Sequence, residues 1–188
     1  MPDGTILIIA GTNRPDANAH RIAKILEGHY RSEGVKTDLL SLTDLPPEVF
    51  QGSSYASKPP GMVAIQQRVL DANGLHIVTP EYNGSFPGVL KYFIDMLKFP
   101  ESFDRKPVAF VGESAGVWGG LRSVEQLQMV FGYRNAHSFP ERVFIPGVMK
   151  QLDANGKLLD SALDERLKKQ CIGFAQFADV ICKHCAPA

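Results

Sequence analysis

The sequence has no excess of charge of either sign. Its 188 residues include 20 Lys and Arg and 20 Asp and Glu, which gives a formal net charge of zero at neutral pH. A protein that binds nucleic acid or an anionic membrane usually carries a basic excess, so the charge balance argues against both partners. No apolar run is long enough to cross a bilayer. We therefore expect neither nucleic-acid nor membrane binding, and a cytoplasmic location.

Cysteine is scarce. The 3 cysteines are an odd number and lie near the end of the chain, at Cys171, Cys182 and Cys185, which argues against a disulfide framework. Cys182 and Cys185 form a C-x-x-C pair, but the sequence lacks the second ligand pair of a zinc site, so no metal ligand is predicted. Cys171 falls in the apolar stripe of the last predicted helix and is therefore expected in the core.

Apolar runs of strand length alternate with segments of helical periodicity along the whole chain. Strands are predicted at residues 5–10, 35–42, 74–79, 107–112 and 142–145. Helices are predicted around residues 22–30 and over 62–72, 86–98 and 120–131, with a last helix from Ser161, where Asp164 completes a capping box. Residues 43–61 are expected to form a long surface loop.

Buried parallel strands need helices on both faces of their sheet. The alternation therefore predicts one domain over residues 1–188, an α/β three-layer α/β/α sandwich. Right-handed crossovers restrict a five-stranded parallel sheet to doubly wound orders. In such sheets ligands bind outside the carboxyl ends of the strands, so the loops at that edge are the candidates for a site.

The loop after the first strand leads directly into a helix. It contains neither G-x-G-x-x-G nor G-x-x-x-x-G-K-[ST], which argues against a dinucleotide-binding Rossmann unit and against a P-loop. Thr12, Arg14 and Asn18 lie beside the exposed N–H groups of the helix N-terminus, and this combination can surround a phosphate monoester. The alternative is that Asn18 only caps the helix while Arg14 is solvated.

The loop after the third strand combines a rigid polar turn with an aromatic side chain. Pro80 restricts the turn, and small residues such as Gly84 allow a flat ligand to approach the backbone. Backbone groups can bind the polar edge of a planar heterocycle while Tyr82 covers its face. The alternative is a structural turn that contains a partly buried tyrosine.

Several segments together resemble the NADPH-dependent FMN reductase family, which includes quinone, azo-dye and chromate reductases of flavodoxin-like fold. The segments that carry the resemblance are residues 11–14, 80–83, 90–95, 112–116 and 119–122. The resemblance spans most of the chain and implies the flavodoxin-like strand order 2-1-3-4-5. It implies an enzyme that binds FMN, takes electrons from NADPH or NADH, and passes them to a quinone, azo, nitro or metal-oxyanion acceptor.

The resemblance also implies which residues hold the cofactor. The FMN phosphate would be held by Thr12, Arg14, Asn18, Ala19 and His20. The isoalloxazine ring would be lined by Pro80, Glu81, Tyr82, Asn83 and Gly84, and its pyrimidine side would be approached by Ser114, Ala115 and Gly116. No catalytic side chain is implied. Family members often carry Ser or another hydroxyl residue at the positions of Ala17 and Ala19, so weaker binding of FMN is expected here.

Two other functions stay open. One is an FMN-binding electron carrier of the flavodoxin type, although carriers of that type usually have a strong negative charge for docking redox partners and this chain is neutral. The other is a family member that has lost its flavin and acts as a scaffold.

The helix predicted over residues 86–98 has a second apolar stripe beside its core stripe. Tyr92, Met96 and Phe99 form this second stripe. A surface helix normally has one apolar face. Either the loop over residues 100–105 covers the stripe, or it contacts another subunit. We favour the subunit contact, because this helix begins at the loop predicted to bind the flavin. The resemblance agrees, since it implies homodimers or homotetramers.

Overall fold

Parallel strands form one sheet, and helices cover both of its faces. The computed structural model describes residues 4–184. The strands are β1 (Thr5–Ala10), β2 (Lys36–Ser41), β3 (Gly74–Pro80), β4 (Pro107–Glu113), β5 (His137–Ser138) and β6 (Val143–Ile145). The helices are α1 (Asn18–Ser32), α2 (Pro60–Asp71), α3 (Gly88–Met96), α4 (Leu121–Tyr133) and α5 (Ser161–His184). Short 3-10 segments lie at Leu42–Asp44, Pro47–Phe50, Gly52–Tyr55 and Val148–Lys150.

The strand order is β2-β1-β3-β4-β5, with β6 also paired to β4, and every pairing is parallel. The predicted flavodoxin-like order is confirmed. The fifth position, however, is shared by two short strands where the sequence predicts one. The Phe139 N–H still donates to the Val108 carbonyl at 2.8 Å, but Pro140 follows and has no N–H, so the pairing is interrupted there. Pairing resumes at Val143.

Successive side chains of the central strands enter two separate apolar layers. On β1, Ile6 and Ile8 pack on the side of α1 and α5, whereas Leu7 and Ile9 pack on the side of α2, α3 and α4. Every residue of β3 and β4 is buried. Burial on both faces explains why these strands have apolar runs without polar alternation.

The last helix begins with a different cap from the one predicted. The Asp160 carboxylate accepts hydrogen bonds from the N–H groups of Ala162 and Leu163, at 2.9 and 3.2 Å. Asp160 is therefore the N-cap and Ser161 is the first helical residue, so the predicted capping box from Ser161 to Asp164 is wrong. An aspartate one residue earlier satisfies two free helix donors.

The two described cysteines lie on α5. Cys171 is fully buried in the core, as predicted. The thiol of Cys182 is partly buried, and it donates to the carbonyl of Asn73 at 3.3 Å. Cys185 lies outside the described residues.

The second apolar stripe of α3 is covered mainly by the chain that precedes α2. The Tyr92 hydroxyl donates to the Val49 carbonyl at 2.8 Å, and its ring lies 5.1 Å from that of Phe50. Met96 is fully buried, whereas Phe99 is 59% exposed. Thus the predicted loop over residues 43–61 packs on Tyr92 of this stripe.

Strand β4 and helix α4 approach each other with no room for side chains. A Cβ atom on Gly120 would lie 2.5 Å from the backbone nitrogen of Glu113, and one on Gly112 would lie 2.8 Å from the Gly120 carbonyl oxygen. Gly120 also has a φ of 86°, a left-handed conformation that disfavours residues with a side chain. These glycines allow α4 to start directly against the end of β4.

We expect Gly120→Ala to lower the free energy of unfolding by about 3 kcal/mol, because the new methyl group meets backbone atoms and the left-handed conformation is strained. Gly28→Ala is the matched control. Gly28 lies within α1 with nothing near its Cβ position, so alanine there should raise stability by about 0.5–1 kcal/mol. Urea unfolding of both variants measures the difference, and equal stability of the two would contradict the explanation.

No helix within residues 4–184 has both the length and the apolar character needed to cross a membrane.

Candidate functional site

The loops after β1, β3 and β4 meet at the carboxyl edge of the sheet. They border a cavity of about 450 Å³, to which the first loop contributes Arg14, the second Tyr82 and the third Ser114. Strand order reverses between β1 and β3, and ligands of doubly wound proteins bind at this kind of reversal. The three predicted loops therefore share one side of the molecule.

A side-chain contact joins the first two loops. The hydroxyl groups of Thr12 and Tyr82 lie 3.2 Å apart, within hydrogen-bonding distance. Thr12 is only 2% exposed, and its oxygen also accepts the N–H of Arg14 at 3.2 Å. Thr12 thus fixes the start of the first loop against the second loop rather than lining the cavity.

Helix α1 begins at the cavity without a cap from its own sequence. Ala17 occupies the N-cap position and has no side-chain acceptor, and the first turn contains no acidic residue. The Asn18 amide donates to the sulfur of Met149 at 3.2 Å, so the alternative in which Asn18 caps the helix is wrong. The first N–H groups of α1 therefore need an acceptor from elsewhere, and such a helix end attracts anions.

Glu113 is a buried carboxyl group that the sequence reasoning missed. It is the last residue of β4, it borders the cavity, and it is 5% exposed. Burial raises the pKa of the Glu113 carboxyl to about 7, although the charge of Arg14 and a hydrogen bond from the Ala19 N–H lower it. Strand alternation could have identified it, because Ala109 and Val111 face the layer of α1 and Glu113 is next in that series.

The second loop contains a tight two-residue hairpin. Tyr82 and Ser85 exchange backbone hydrogen bonds of 2.8 and 3.1 Å, with Asn83 and Gly84 between them. Both central residues have positive φ, at 53° and 76°, as a type I′ turn requires. Gln126 of α4 donates to the Gly84 carbonyl at 3.1 Å and accepts the Ser85 hydroxyl at 2.5 Å. Asn83 is exposed at the tip and does not border the cavity.

Helix α4 also holds the start of the second loop. The Arg122 guanidinium donates to the Glu81 carboxylate at 3.0 Å, and the Arg122 N–H lies 3.3 Å from the other carboxylate oxygen. The Ser123 hydroxyl donates to the Pro80 carbonyl at 3.0 Å. The negative charge of Glu81 is therefore balanced at the cavity wall by a cation and a helix N-terminus.

The third loop is fixed by the chain that follows β6. The N–H of Ser114 donates to the Ile145 carbonyl at 3.2 Å, and the Ser114 carbonyl accepts the N–H of Val148 at 3.0 Å. The Ser114 hydroxyl donates to the Gly116 carbonyl at 3.2 Å. Val148 and Met149 border the cavity as a result. Neither residue could be predicted as part of the site from the sequence, because a short 3-10 segment has no pattern that marks it.

The predicted cofactor residues fall into two groups. Those that border the cavity are Arg14, Asn18, Pro80, Glu81, Tyr82, Ser114 and Ala115. Those that lie in the same loops but do not border it are Thr12, Ala19, His20, Asn83, Gly84 and Gly116.

A family model described as NADPH-dependent FMN reductase matches residues 5–150. The chain belongs to this family. An NAD(P)H-dependent FMN reductase of Pseudomonas aeruginosa is 32% identical over 142 residues, which cover 73% of this chain and 75% of that protein. A 2-hydroxy-1,4-benzoquinone reductase of a Burkholderia species is 32% identical over 160 residues, which cover 82% of this chain and 85% of that protein.

Solved structures agree on the fold. FerB, a flavoenzyme NAD(P)H:(acceptor) oxidoreductase from Paracoccus denitrificans, superimposes with a TM-score of 0.79 at 24% identity, over 94% of this chain and 98% of that chain. The predictions of a flavodoxin-like fold, of an oxidoreductase, and of FMN and NAD(P)H as cofactors are confirmed at the level of the NADPH-dependent FMN reductase family.

The donors at the cavity fit the phosphate of FMN, with one conflict. The uncapped start of α1 and the exposed Arg14 guanidinium both favour a dianion. However, the Glu113 carboxyl already accepts the N–H of Ala19 at the same helix end. A phosphate bound there meets a second acidic group.

We expect the Glu113 carboxyl to make the stability of the chain without FMN fall as pH rises. Its folded-state pKa of about 7 exceeds the ordinary value of 4.5, so its contribution is fully present below pH 4.5 and is lost as pH rises through 7. Relative to Glu113→Gln, the wild-type protein should lose about 3 kcal/mol of unfolding free energy between pH 4.5 and about pH 8. Urea unfolding across this range measures the trend.

Glu125→Gln is the control for this prediction, because Glu125 is exposed on α4 and away from the cavity. Its stability should follow that of the wild type across the pH range. Parallel curves for the wild type and Glu113→Gln would show that burial of Glu113 does not govern its protonation.

Proposed function

We propose that the chain transfers electrons from NADPH or NADH, through bound FMN, to a small-molecule acceptor: a quinone, or an azo, nitro or metal-oxyanion compound. The main support for this proposal is that the three loops meet at one cavity. Its volume of about 450 Å³ lies within the usual range for ligand pockets. The quinone class is supported by the Burkholderia relative, which is a benzoquinone reductase. We further propose that residues 1–188 act as one domain in the cytoplasm.

The phosphate of FMN would lie at the start of α1. Arg14 would pair with it, because its guanidinium is exposed at the cavity edge. The N–H groups of Asn18 and Ala19 would donate to it, which is the usual way in which a helix N-terminus binds an anion. Thr12 would act indirectly, by holding the Arg14 turn in place through its hydrogen bond to the Arg14 N–H.

The ring system of FMN would lie between the second and third loops. Tyr82 would cover one side, and the backbone of Pro80 and Glu81 would line the polar edge, since α4 holds both residues rigidly. The N–H of Ser114 is already used by Ile145, so we assign that of Ala115, which borders the cavity, to the ring.

When bound, FMN supplies the electron transfer, so the cavity needs no acid, base or nucleophile of its own. The contribution of the chain is to hold the ring rigidly, to offer backbone donors to its electron-rich edge, and to leave one face open to the donor and acceptor in turn.

The test is to purify the chain, add FMN and NADPH under air, and follow cofactor oxidation with benzoquinone or ferricyanide as acceptor. We expect FMN-dependent turnover with ping-pong kinetics, since donor and acceptor would use the same open face. An electron carrier would bind FMN but would not be reduced by NADPH alone. A scaffold would stay colourless after FMN is added. Absence of FMN-dependent turnover with both benzoquinone and ferricyanide would contradict the proposal.

We expect Arg14→Gln to weaken FMN binding by about ten- to a hundredfold, the value of one lost hydrogen bond to a charged group. Binding of riboflavin, which has no phosphate, should be unchanged. Arg31→Gln is the matched control, because Arg31 lies at the opposite end of α1. Fluorescence titration measures both ligands, and an equal loss for FMN and riboflavin would show that Arg14 does not contact the phosphate.

We also propose that copies of the chain form a homodimer or homotetramer through a surface that includes the helix predicted over residues 86–98. Tyr92 and Met96 are covered within the chain, so the contact would involve the outer face of α3 and α4 instead. Met129 and Tyr133, one turn apart on α4, are 73% and 80% exposed there, and they border a groove that also includes Ile94 of α3.

Light scattering tests the association. We expect a mass of two or four chains for the wild type, and a shift toward the monomer for Tyr133→Glu, because a charge in an apolar contact opposes association. Val180→Glu, at an exposed apolar residue of α5, should leave the mass unchanged. A monomeric mass for the wild type would refute the proposal.

A further inference from the structure

Glu113 is the one acidic side chain among the described residues of the cavity wall that is both nearly fully buried and directed at the start of α1. It ends β4 on the sheet face that carries α1, and its carboxyl accepts the N–H of Ala19. It is 5% exposed. The carboxyl therefore occupies part of the position that an anion at this helix end would take.

The proposed electron transfer gives this group no role. It needs no acid or base from the chain, and an apolar residue would fill the wall without the cost of burying a charge. Two negative groups that share one set of donors cannot both stay fully ionised, because each disfavours the charged form of the other. The second pKa of a phosphate monoester is about 6. The pKa of the Glu113 carboxyl is about 7, so the carboxyl is the group that takes up the proton.

We propose that Glu113 and the phosphate of FMN share the donors at the start of α1, and that each FMN bound above neutral pH brings one proton from solvent onto the Glu113 carboxyl. The protonated carboxyl then donates a hydrogen bond to a phosphate oxygen. This inference rests on the proposed function and deepens it, because it makes the affinity of the cavity for FMN depend on pH.

Other charged groups at the cavity do not remove the need for this proton. The titratable and charged residues that face Glu113 from the first loop and α1 are Arg14, Asp16 and Arg21. Those from the second loop are Glu81 and Tyr82, while the 3-10 segment after β6 contributes only the uncharged Val148 and Met149. The charge of Glu81 is taken up by its pair with Arg122.

Burial outweighs the charge of Arg14 and the hydrogen bond from the Ala19 N–H, which leaves the pKa of the Glu113 carboxyl at about 7. Near neutral pH the free protein is therefore a mixture of both protonation states. Only the protonated state accepts the phosphate without repulsion.

The expected consequence is a pH-dependent affinity for FMN. The Kd should be nearly constant below a pH of about 7 and should rise by up to about tenfold for each pH unit above it, which makes it about tenfold weaker at about pH 8. A phosphate monoester has its second pKa at about 6, so the ligand is nearly all dianion above a pH of about 7, where the predicted loss of affinity occurs. Riboflavin has no phosphate, and its Kd should change little between about pH 6.5 and about pH 8.5.

The experiment is a fluorescence titration of the full chain with FMN and with riboflavin, from about pH 6.5 to about pH 8.5, for wild type, Glu113→Gln and Glu125→Gln. Glu113→Gln keeps the size and a hydrogen-bonding oxygen but cannot ionise, so its FMN affinity should be independent of pH and about tenfold tighter than that of the wild type at about pH 8. Calorimetry in two buffers of different ionisation enthalpy should show uptake of nearly one proton per FMN by the wild type at that pH, and none by Glu113→Gln.

The same pH dependence in wild type and Glu113→Gln would overturn the inference and leave the proposed function standing, because FMN would still bind. Absence of FMN binding to either protein at every pH would overturn the proposed function itself. If Glu113→Gln does not fold, the wild type decides alone: parallel pH curves for FMN and riboflavin, or no proton uptake, would overturn the inference.

Discussion

The start of α1 has no acceptor from its own sequence, and the site depends on this. Ala17 has no polar side chain, and Asn18 is turned toward Met149. Buried N–H groups must find partners, so the rest of the fold has to provide an acceptor at this helix end. The carboxyl of Glu113 provides one in the structure, and the family's cofactor carries a second in its phosphate. The lack of a local cap is thus what leaves these N–H groups to an acceptor from another part of the molecule.

The geometry of the other two loops depends on how closely α4 approaches β4. Gly112 and Gly120 permit that approach, since any Cβ there would meet backbone atoms at less than 3 Å. From this position α4 directs Arg122, Ser123 and Gln126 at the second loop, where they bind a side chain and two backbone carbonyls. The second loop is therefore held rigid by its contacts with α4, and not by its proline alone.

The strands and the three loops could be predicted from the sequence because both follow from local patterns, whereas the strand order came from the resemblance to the family. Apolar runs mark buried strands, and the loops at their carboxyl ends must meet at one edge of a parallel sheet. The remaining site residues depend on contacts between distant parts of the chain. Met149 reaches the cavity because its segment pairs with Ser114, which no pattern around residue 149 reveals. Glu113 was missed because β4 continues one residue beyond its predicted end, and that residue is polar.

A buried carboxyl group can lie beside a bound phosphate if the carboxyl group is protonated. Burial penalises the charged form of Glu113, and a neighbouring dianion penalises the same form, so both effects favour the protonated acid. Arg14 opposes them, and it is the group that a phosphate would engage instead. If Arg14 pairs with the phosphate of FMN, its charge no longer stabilises the ionised form of Glu113 to the same extent. Binding of FMN and protonation of Glu113 would therefore favour each other. The protonated acid is also the form that burial favours in the free protein, so at a pH below about 7 the proposed FMN-binding state already predominates before the ligand arrives.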